Sequence, residues 1–269
     1  MLKPSLEEVK ALAKQYNTIP VFYEFSADNQ TPLNIYAALS KDSRNSFILE
    51  SVSNGVQWDR YSFVGVSPKE EICITGNTAE IRTGDKIETK EVEQPIAFLK
   101  ERMAAYRSPV LEGAPNFTGG LIGYFGYDTV RYMEKKLTHV PEDDIHMPDC
   151  HLFLYEELLA YDHLTSNGIV ILNLHTDGDL GAQYAAAQWR AEELADIVRH
   201  YNPQPQIRQH HGEAVVRSNL TKEQYSQMVR DAKEYIRNGD IFQIVLSNRL
   251  SAPFEGSLLG TYRILRTLN

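Results

Sequence analysis

Glu50 and Ser51 are the residues whose types and position best suit the binding of a small molecule. They follow an apolar run that ends at Leu49, and Asn54-Gly55, a pair typical of tight turns, comes shortly after them. A carboxylate and a hydroxyl at the end of a buried strand can hold the charged ends of a ligand. An ordinary hairpin turn would use the same residues, so the local pattern leaves both interpretations open.

Arg60 stands at the end of the next β-rich run, residues 61–66, and is a second candidate for ligand binding. Its guanidinium could pair with the carboxylate of a ligand that Glu50 and Ser51 hold. An exposed arginine at a strand end is the commoner arrangement, and that interpretation also stays open.

Gly119, Gly120, Gly123 and Gly126 form a spaced run that could suggest a phosphate-binding loop. Such a loop needs a Lys-Ser or Lys-Thr pair and the start of a helix directly after the glycines, and the sequence has neither. Aromatic residues alternate with the glycines, which favours a strand in close contact with a neighbouring sheet. We therefore expect no phosphate site here.

His146, Cys150 and His151 lie close together along the chain and could suggest a metal site. Pro148 interrupts the group, and no fourth ligand stands at the spacing that zinc sites use. A loop that leads into a strand accounts for the same residues. We assign no metal ligand in this chain.

The composition, with 42% hydrophobic and 23% charged residues, indicates a soluble globular protein. A net charge of −9 and scattered Lys and Arg residues argue against a nucleic-acid partner. Cys73 and Cys150 are the only cysteines, too few for a disulfide framework. No apolar run reaches the ~18 residues of a membrane span, and the first residues do not resemble a signal peptide. We expect a cytoplasmic protein without a membrane partner.

The hydrophobic pattern predicts short strands, joined in part by hairpin-type turns, together with several helices. Strands are predicted at residues 20–25, 47–52, 61–66, 71–75, 87–92, 117–127, 152–155, 157–161 and 168–174. Helices are predicted to begin at Ser5 and Pro32 and to cover residues 95–105, 128–134 and 182–200.

A polar stretch rich in Pro, Gln and His, residues 202–216, is a predicted linker between a first domain, residues 1–201, and a segment at 217–269. In that segment a capping box at 221–224 begins a helix that Gly239 ends, and residues 241–246 form a predicted buried strand. Few residues remain to cover both faces of that strand. We therefore expect residue 269 to lie inside a domain rather than at its natural end.

Four blocks of the sequence resemble anthranilate synthase component I, a family of chorismate-using enzymes. They are the strand end Leu49-Glu50-Ser51 with the run 60–65, and then residues 120–128, 149–164 and 239–247. The resemblance implies an α+β fold of antiparallel, sandwich-like β-sheets flanked by helices. Residues 1–201 would be the regulatory domain, and residues 217–269 the start of the chorismate-binding catalytic domain.

The resemblance also implies an activity for the whole subunit. The family converts chorismate and ammonia to anthranilate and pyruvate with Mg²⁺, in the first committed step of tryptophan biosynthesis, and a glutamine amidotransferase subunit supplies the ammonia. The family's Mg²⁺ and chorismate ligands correspond to positions after Asn269. We therefore expect no catalytic residue in this chain and no anthranilate synthesis by the chain alone.

Tryptophan inhibits this family, and the resemblance places one wall of its pocket at Leu49, Glu50 and Ser51. Arg60 is the candidate partner of the tryptophan carboxylate. The opposite wall is an Asn-Pro-Ser-Pro-Tyr-Met block, of which the chain contains only the first residue, Asn269. Because half of the pocket is missing, we expect weak or no tryptophan binding by the chain alone.

Two alternatives remain open. Aminodeoxychorismate synthase component I, an enzyme of the folate pathway, shares part of the Leu-Glu-Ser block. The run 239–247 favours the anthranilate branch, since the relatives more often carry a polar Asn in that strand. A non-catalytic amino-acid-sensing module, in contrast, would bind tryptophan in isolation, and calorimetry on the chain tests that alternative.

Overall fold

The computed structural model describes residues 1–50, 60–134, 136–140, 142–203, 215–255 and 257–268. The chain divides into two compact units, Met1–Pro203 and Gln204–Asn269. The turn predicted at 54–55 and most of the predicted linker lie outside the described residues.

Twelve strands and six α-helices lie within the described ranges. The strands are β1 Thr18–Ser26, β2 Ser46–Leu49, β3 Tyr61–Val66, β4 Glu70–Thr75, β5 Thr78–Thr83, β6 Lys86–Glu91, β7 Gly120–Phe125, β8 Cys150–Tyr155, β9 Glu157–Asp162, β10 Asn167–His175, β11 Arg217–Ser218 and β12 Leu250–Ser251. The helices are α1 Leu6–Leu12, α2 Pro32–Leu39, α3 Pro95–Ala104, α4 Leu180–Arg199, α5 Lys222–Asn238 and α6 Leu259–Leu265. Short 3₁₀ helices cover Ser40–Asp42 and Tyr127–Tyr132.

Two five-stranded sheets form the first unit. The strand order is β1-β10-β9-β3-β2 in the first sheet and β6-β5-β4-β8-β7 in the second sheet. Every neighbouring pair in both sheets is antiparallel.

The two sheets pack face to face, and helices cover their outer faces. Phe63 and Ile171 of the first sheet pack with Tyr155 of the second sheet in the core between them. The other face of the first sheet packs on α1, α2 and α4 through residues such as Val170. The other face of the second sheet packs on α3 around Leu99. This arrangement confirms the predicted α+β fold with sandwich-like antiparallel sheets.

The helix ends follow the local chemistry of the sequence. The side chain of Ser5 accepts a hydrogen bond from the backbone of Glu8 and that of Thr221 one from the backbone of Gln224, so α1 and α5 both begin with a complete capping box. Gly239, with φ of +81°, ends α5 in the left-handed conformation that glycine adopts without strain. The capping box predicted at 221–224 is confirmed.

The strand predicted at residues 241–246 is wrong. These residues form no strand, and Phe242 and Val245 are 93% and 83% exposed. A strand needs a partner that accepts and donates its backbone hydrogen bonds. The only strands described in the second unit, β11 and β12, have two residues each and pair with each other. Apolar composition therefore predicted a strand for which the described residues provide no neighbour.

Candidate functional site

The candidate site lies at the end of the first sheet where β2 ends. Leu49, the last residue of β2, pairs with Phe63 of β3, and 46% of its surface is exposed. Glu50 follows directly and is half-buried. The structure thus places Leu49 and Glu50 at an accessible strand end, while Ser51 and Asn269 lie outside the described residues.

Arg60 directly precedes β3 and forms a two-pronged ion pair at the same end of the sheet. Its Nε and Nη2 atoms donate to Oδ1 and Oδ2 of Asp162 over 2.9 and 2.6 Å. Asp162 is the last residue of β9 and is only 2% exposed. Its carboxylate also accepts from the backbone N–H of Leu164 and the hydroxyl of Thr165, each at 3.0 Å. The guanidinium of Arg60 and the buried carboxylate of Asp162 therefore link the start of β3 to the end of its neighbour β9.

The surroundings shift the pKa values of both partners. Burial alone would raise the pKa of Asp162, but the hydrogen bonds from Arg60, Leu164 and Thr165 outweigh burial and lower that pKa below its usual range. The hydrogen bond to Asp162 raises the pKa of Arg60. Both groups are therefore charged at neutral pH. A ligand carboxylate at Arg60 would have to share the guanidinium with Asp162.

Several polar contacts at this end of the sheet were not predicted from the sequence. Ser62 Oγ lies 2.8 Å from Nε2 of His163, and Asn167 donates to Glu24 over 2.7 Å. Ser62 is only 1% exposed, so its hydroxyl is not open to a substrate as a nucleophile would be. Asp162 ends β9 and His163 follows it, so polar residues stand at the end of this strand as Glu50 and Ser51 stand after β2 in the sequence. The sequence therefore carried a usable signal for this second polar strand end.

The glycine run has a structural explanation in β7. A Cβ atom at Gly123 would lie 2.0 Å from the carbonyl oxygen of His151 on the adjacent strand β8. The close approach is thus between neighbouring strands of one sheet, not between the two sheets as the aromatic spacing had suggested. Gly119 and Gly120 have φ of +146° and +139°, values that L side chains rarely adopt.

Cys150 and His151 lie on opposite faces of the second sheet. Cys150 is buried in the core under α3, and burial raises its pKa to about 11. His151 Nε2 lies 2.7 Å from a carboxylate oxygen of Glu71. No group of three His, Cys, Asp or Glu side chains able to hold a metal ion is present among the residues that the structure describes. In the same ranges, no helix has the length and apolar character that crossing a membrane would require.

Comparison with protein families gives a match to the chorismate binding enzyme family over residues 53–269. Anthranilate synthase component 1 of Acetivibrio thermocellus is 37% identical over 100% of this chain and 55% of its own length. The Pseudomonas aeruginosa protein of the same name is 36% identical, over 98% of this chain and 54% of its own length. This chain spans about half the length of these relatives.

Solved structures include one with the same architecture. The crystal structure of anthranilate synthase component I from Streptococcus pneumoniae superposes on 89% of this chain with a TM-score of 0.61 and 28% sequence identity. The match covers 51% of the Streptococcus chain. Sequence and fold comparisons thus agree on the same group of proteins.

Proposed function

The chain belongs to the chorismate binding enzyme family, and we propose that it is part of an anthranilate synthase component I, which converts chorismate and ammonia to anthranilate and pyruvate. The observation that carries the proposal is the 37% identity to a protein of that name over the whole chain. The name component 1 also supports a second component, and we propose that this partner is a glutamine amidotransferase subunit that supplies the ammonia.

The proposed reaction needs a hard cation and a group that moves a proton. Chorismate carries two carboxylates, and Mg²⁺ would hold one of them while an acid or base moves a proton. Because the described residues contain no cluster able to hold a metal ion, we derive no step through Mg²⁺ in this chain. We propose that the Mg²⁺ and chorismate ligands belong to the half of the relatives' length that this chain does not match.

The contribution of this chain would be regulatory. We propose that Leu49, Glu50 and Ser51 form one wall of a tryptophan pocket. The exposed end of β2 and the half-buried carboxylate of Glu50 support this assignment, since a carboxylate there can pair with the ammonium group of an amino acid. We also propose that Arg60 pairs with the tryptophan carboxylate, which would share the guanidinium with Asp162.

Activity measurements on two proteins test the catalytic part. One is the 269-residue chain, and the other is the whole product of the open reading frame that encodes it. With chorismate, ammonium and Mg²⁺, we expect the whole product to form fluorescent anthranilate and release pyruvate, and the 269-residue chain to form none. Turnover by the shorter protein, or aminodeoxychorismate as the product without pyruvate, would contradict the proposal.

Substitution of Glu50 tests the regulatory part. In the whole product, Glu50→Ala should raise the inhibition constant for tryptophan at least ~10-fold, as expected when a charge-assisted hydrogen bond worth about 1.5–3 kcal/mol is lost. The kcat/KM for chorismate should stay within about twofold. Glu88→Ala, on the exposed strand β6, is the matched control and should leave inhibition unchanged. Equal inhibition constants for the two variants would contradict the placement of Glu50 in the tryptophan pocket.

A further inference from the structure

The two edge strands of the second sheet differ in how they are protected against pairing with another chain. At one edge, β6 carries Lys86, Glu88, Lys90 and Glu91, and all of its residues are exposed. At the other edge, β7 contains neither a charged residue nor a proline, and its outer side has no strand partner among the residues that the structure describes. Charged side chains and proline are the usual protection of an exposed sheet edge. The edge of β7 is therefore better suited than that of β6 to accept a further strand.

Exposed apolar side chains are concentrated at the end of β7 and on the loop that follows it. In the other described parts of the first unit, large apolar residues with at least half of their surface exposed are spread along the chain, at positions 1, 87, 110, 164 and 189. Exposed apolar surface that is concentrated in one place commonly marks a site of protein association. Six residues at the end of β7 and on its loop are exposed to the same degree: Phe125, Tyr127, Met133, Val140, Ile145 and Met147.

Hydrogen bonds close this loop at its base. The backbone N–H of Gly126 donates to the carbonyl oxygen of Asp149 over 2.7 Å, so the two ends of the loop meet where β7 ends and β8 begins. The hydroxyl of Tyr132 lies 2.6 Å from Oδ2 of Asp149 and 2.7 Å from the carbonyl oxygen of Gly76, in the turn between β4 and β5. The loop is thus attached to the second sheet at the end of its open edge.

Charged residues alternate with the apolar ones on this loop, which favours an interface between proteins over a buried core. Packing of the whole loop into a domain core would remove these charges from water at a high cost in free energy. At an interface between two proteins, in contrast, aromatic and Met side chains are enriched at the centre, while charged side chains stay at the solvated rim. The exposed charged side chains described on the loop are Glu134, Lys136, Glu142, Asp143 and Asp144.

The sign of these charges favours a different protein over a second copy of this chain as the partner. Four of the five exposed charged side chains are acidic, and three of them form the continuous run 142–144. A symmetric dimer through this surface would bring two such runs to one interface, where like charges repel each other. A partner with an apolar patch flanked by Lys or Arg side chains would complement the surface instead.

We propose that the open edge of β7 and the exposed apolar residues of the loop after it are the docking surface for the second component of the enzyme, the glutamine amidotransferase subunit. This inference rests on the proposed function, in which the chain acts together with such a partner. An extended segment of the amidotransferase would pair with β7. Its apolar side chains would cover Phe125 and Tyr127, and its basic side chains would face the acidic run 142–144.

Glutamate substitutions in the whole product of the open reading frame test the docking surface. Tyr127→Glu and Met133→Glu place a charge on it, and Val110→Glu and Trp189→Glu are controls at residues of similar exposure elsewhere. We expect Tyr127→Glu and Met133→Glu to weaken binding of the purified amidotransferase component, measured by calorimetry, at least ~10-fold. Anthranilate formation from glutamine at a limiting concentration of that component should fall accordingly, while formation from ammonia stays within about twofold. The controls should change none of these quantities.

Reversal of one acidic charge tests the predicted basic character of the partner. Glu142→Lys should slow association with the amidotransferase component at low salt, and the difference from the wild type should shrink at high salt, because dissolved ions screen the attraction. Glu88→Lys, on the exposed strand β6, is the matched control and should leave the association rate unchanged. Faster association of Glu142→Lys would overturn the predicted charge of the partner.

Hydrogen exchange distinguishes the amidotransferase from other occupants. The backbone amides of β7 should exchange more slowly in the complex with the amidotransferase component than in the whole product alone. Slow exchange in the product alone would mean that the same polypeptide covers the edge, and protection that rises with its concentration would mean that a second copy does. Either result, or equal binding by Tyr127→Glu and Val110→Glu, would overturn the docking surface. Absence of ammonia-dependent activity would instead overturn the proposed function, and with it the identity of the partner.

Discussion

The two sheets of the first unit share antiparallel pairing but differ in how much of each strand is buried. In the first sheet, β9 and β10 are buried at nearly every position, because the other sheet covers one face and helices cover the other. In the second sheet, β4 alternates between buried and less buried positions, and β6 is exposed throughout. Pairing alone therefore does not determine how much of a strand is buried. We expect the strands that are buried at more positions to contribute more to stability.

Replacing one isoleucine in each sheet should give the largest difference in the free energy of unfolding. Ile171 of β10 is fully buried between the sheets, whereas Ile87 of β6 is 52% exposed. Ile171→Ala should lower the free energy of unfolding by about 3–4 kcal/mol, since it removes buried methyl groups and leaves a cavity. Ile87→Ala should cost less than about 1 kcal/mol. Urea denaturation, followed by circular dichroism, measures both values.

Equal costs for the two alanine variants would contradict the comparison, because they would mean that the exposed strand carries as much stability as the covered one. The slope of unfolding free energy against urea should be the same for both variants, so that the difference reflects the native packing and not the unfolded chain.

The ion pairs that link a helix to a strand in each sheet give a second, smaller contrast in stability. Arg102 of α3 pairs with Glu70 of β4, which is only 6% exposed, through a two-pronged ion pair. Arg190 of α4 pairs with Glu157 of β9 at 2.8 Å and also with Glu193 at 2.6 Å. Glu70→Gln should therefore lower the free energy of unfolding by about 3 kcal/mol, because Arg102 keeps its charge in a partly buried site without the carboxylate. Glu157→Gln should cost about 1 kcal/mol, since Arg190 retains Glu193 and is more exposed.

Thermal unfolding at low and high salt distinguishes the two ion pairs. Added salt should reduce the effect of Glu157→Gln more than that of Glu70→Gln, because solvent ions screen an exposed pair more strongly than a buried one. A larger cost for Glu157→Gln would show that the second sheet depends less on its single helix than the burial pattern indicates.

Most strands of the first unit could be predicted from their apolar residues and flanking turns, but β5 at Thr78–Thr83 was not among the predicted strands. The continuous apolar run 168–174 predicted β10, and the bounds of β3 agree with the predicted 61–66. The same reasoning failed at 241–246, where an equally apolar run forms no strand. Apolar residues indicate that a segment is suited to burial, but a strand also requires a neighbour, and the neighbour is not encoded in the segment itself.

The candidate site was predictable only in part for a related reason. Leu49 and Glu50 could be singled out because the signal is local, at the end of one apolar strand. The pairing of Arg60 with Asp162 joins residues 102 positions apart, and it depends on β3 lying beside β9. No local sequence pattern indicates that these two strands are neighbours.

Breaking the Arg60–Asp162 pair should have the smallest effect on the free energy of unfolding. This effect should also depend on pH. Asp162→Asn should lower the free energy of unfolding by about 1–2 kcal/mol at pH 7. This loss is smaller than for a fully buried pair because 44% of the Arg60 side chain is exposed. Asp128→Asn, which removes the surface pair with Arg131, is the matched control and should cost less than about 0.5 kcal/mol.

The pKa of Asp162 is lower in the folded protein than the ordinary value of about 3.9, so the unfolded chain binds the proton more readily. The contribution of Asp162 to stability is therefore complete above about pH 5, and it is lost as the pH falls through 4 towards the lowered folded pKa. Urea unfolding between pH 3 and 7 should show the stability difference between the wild type and Asp162→Asn shrinking on acidification, while the difference for Asp128→Asn stays small. A difference for Asp162→Asn that grew at low pH would mean that the carboxyl is protonated in the folded state, and the lowered pKa and the charged pair with Arg60 would both have to be abandoned.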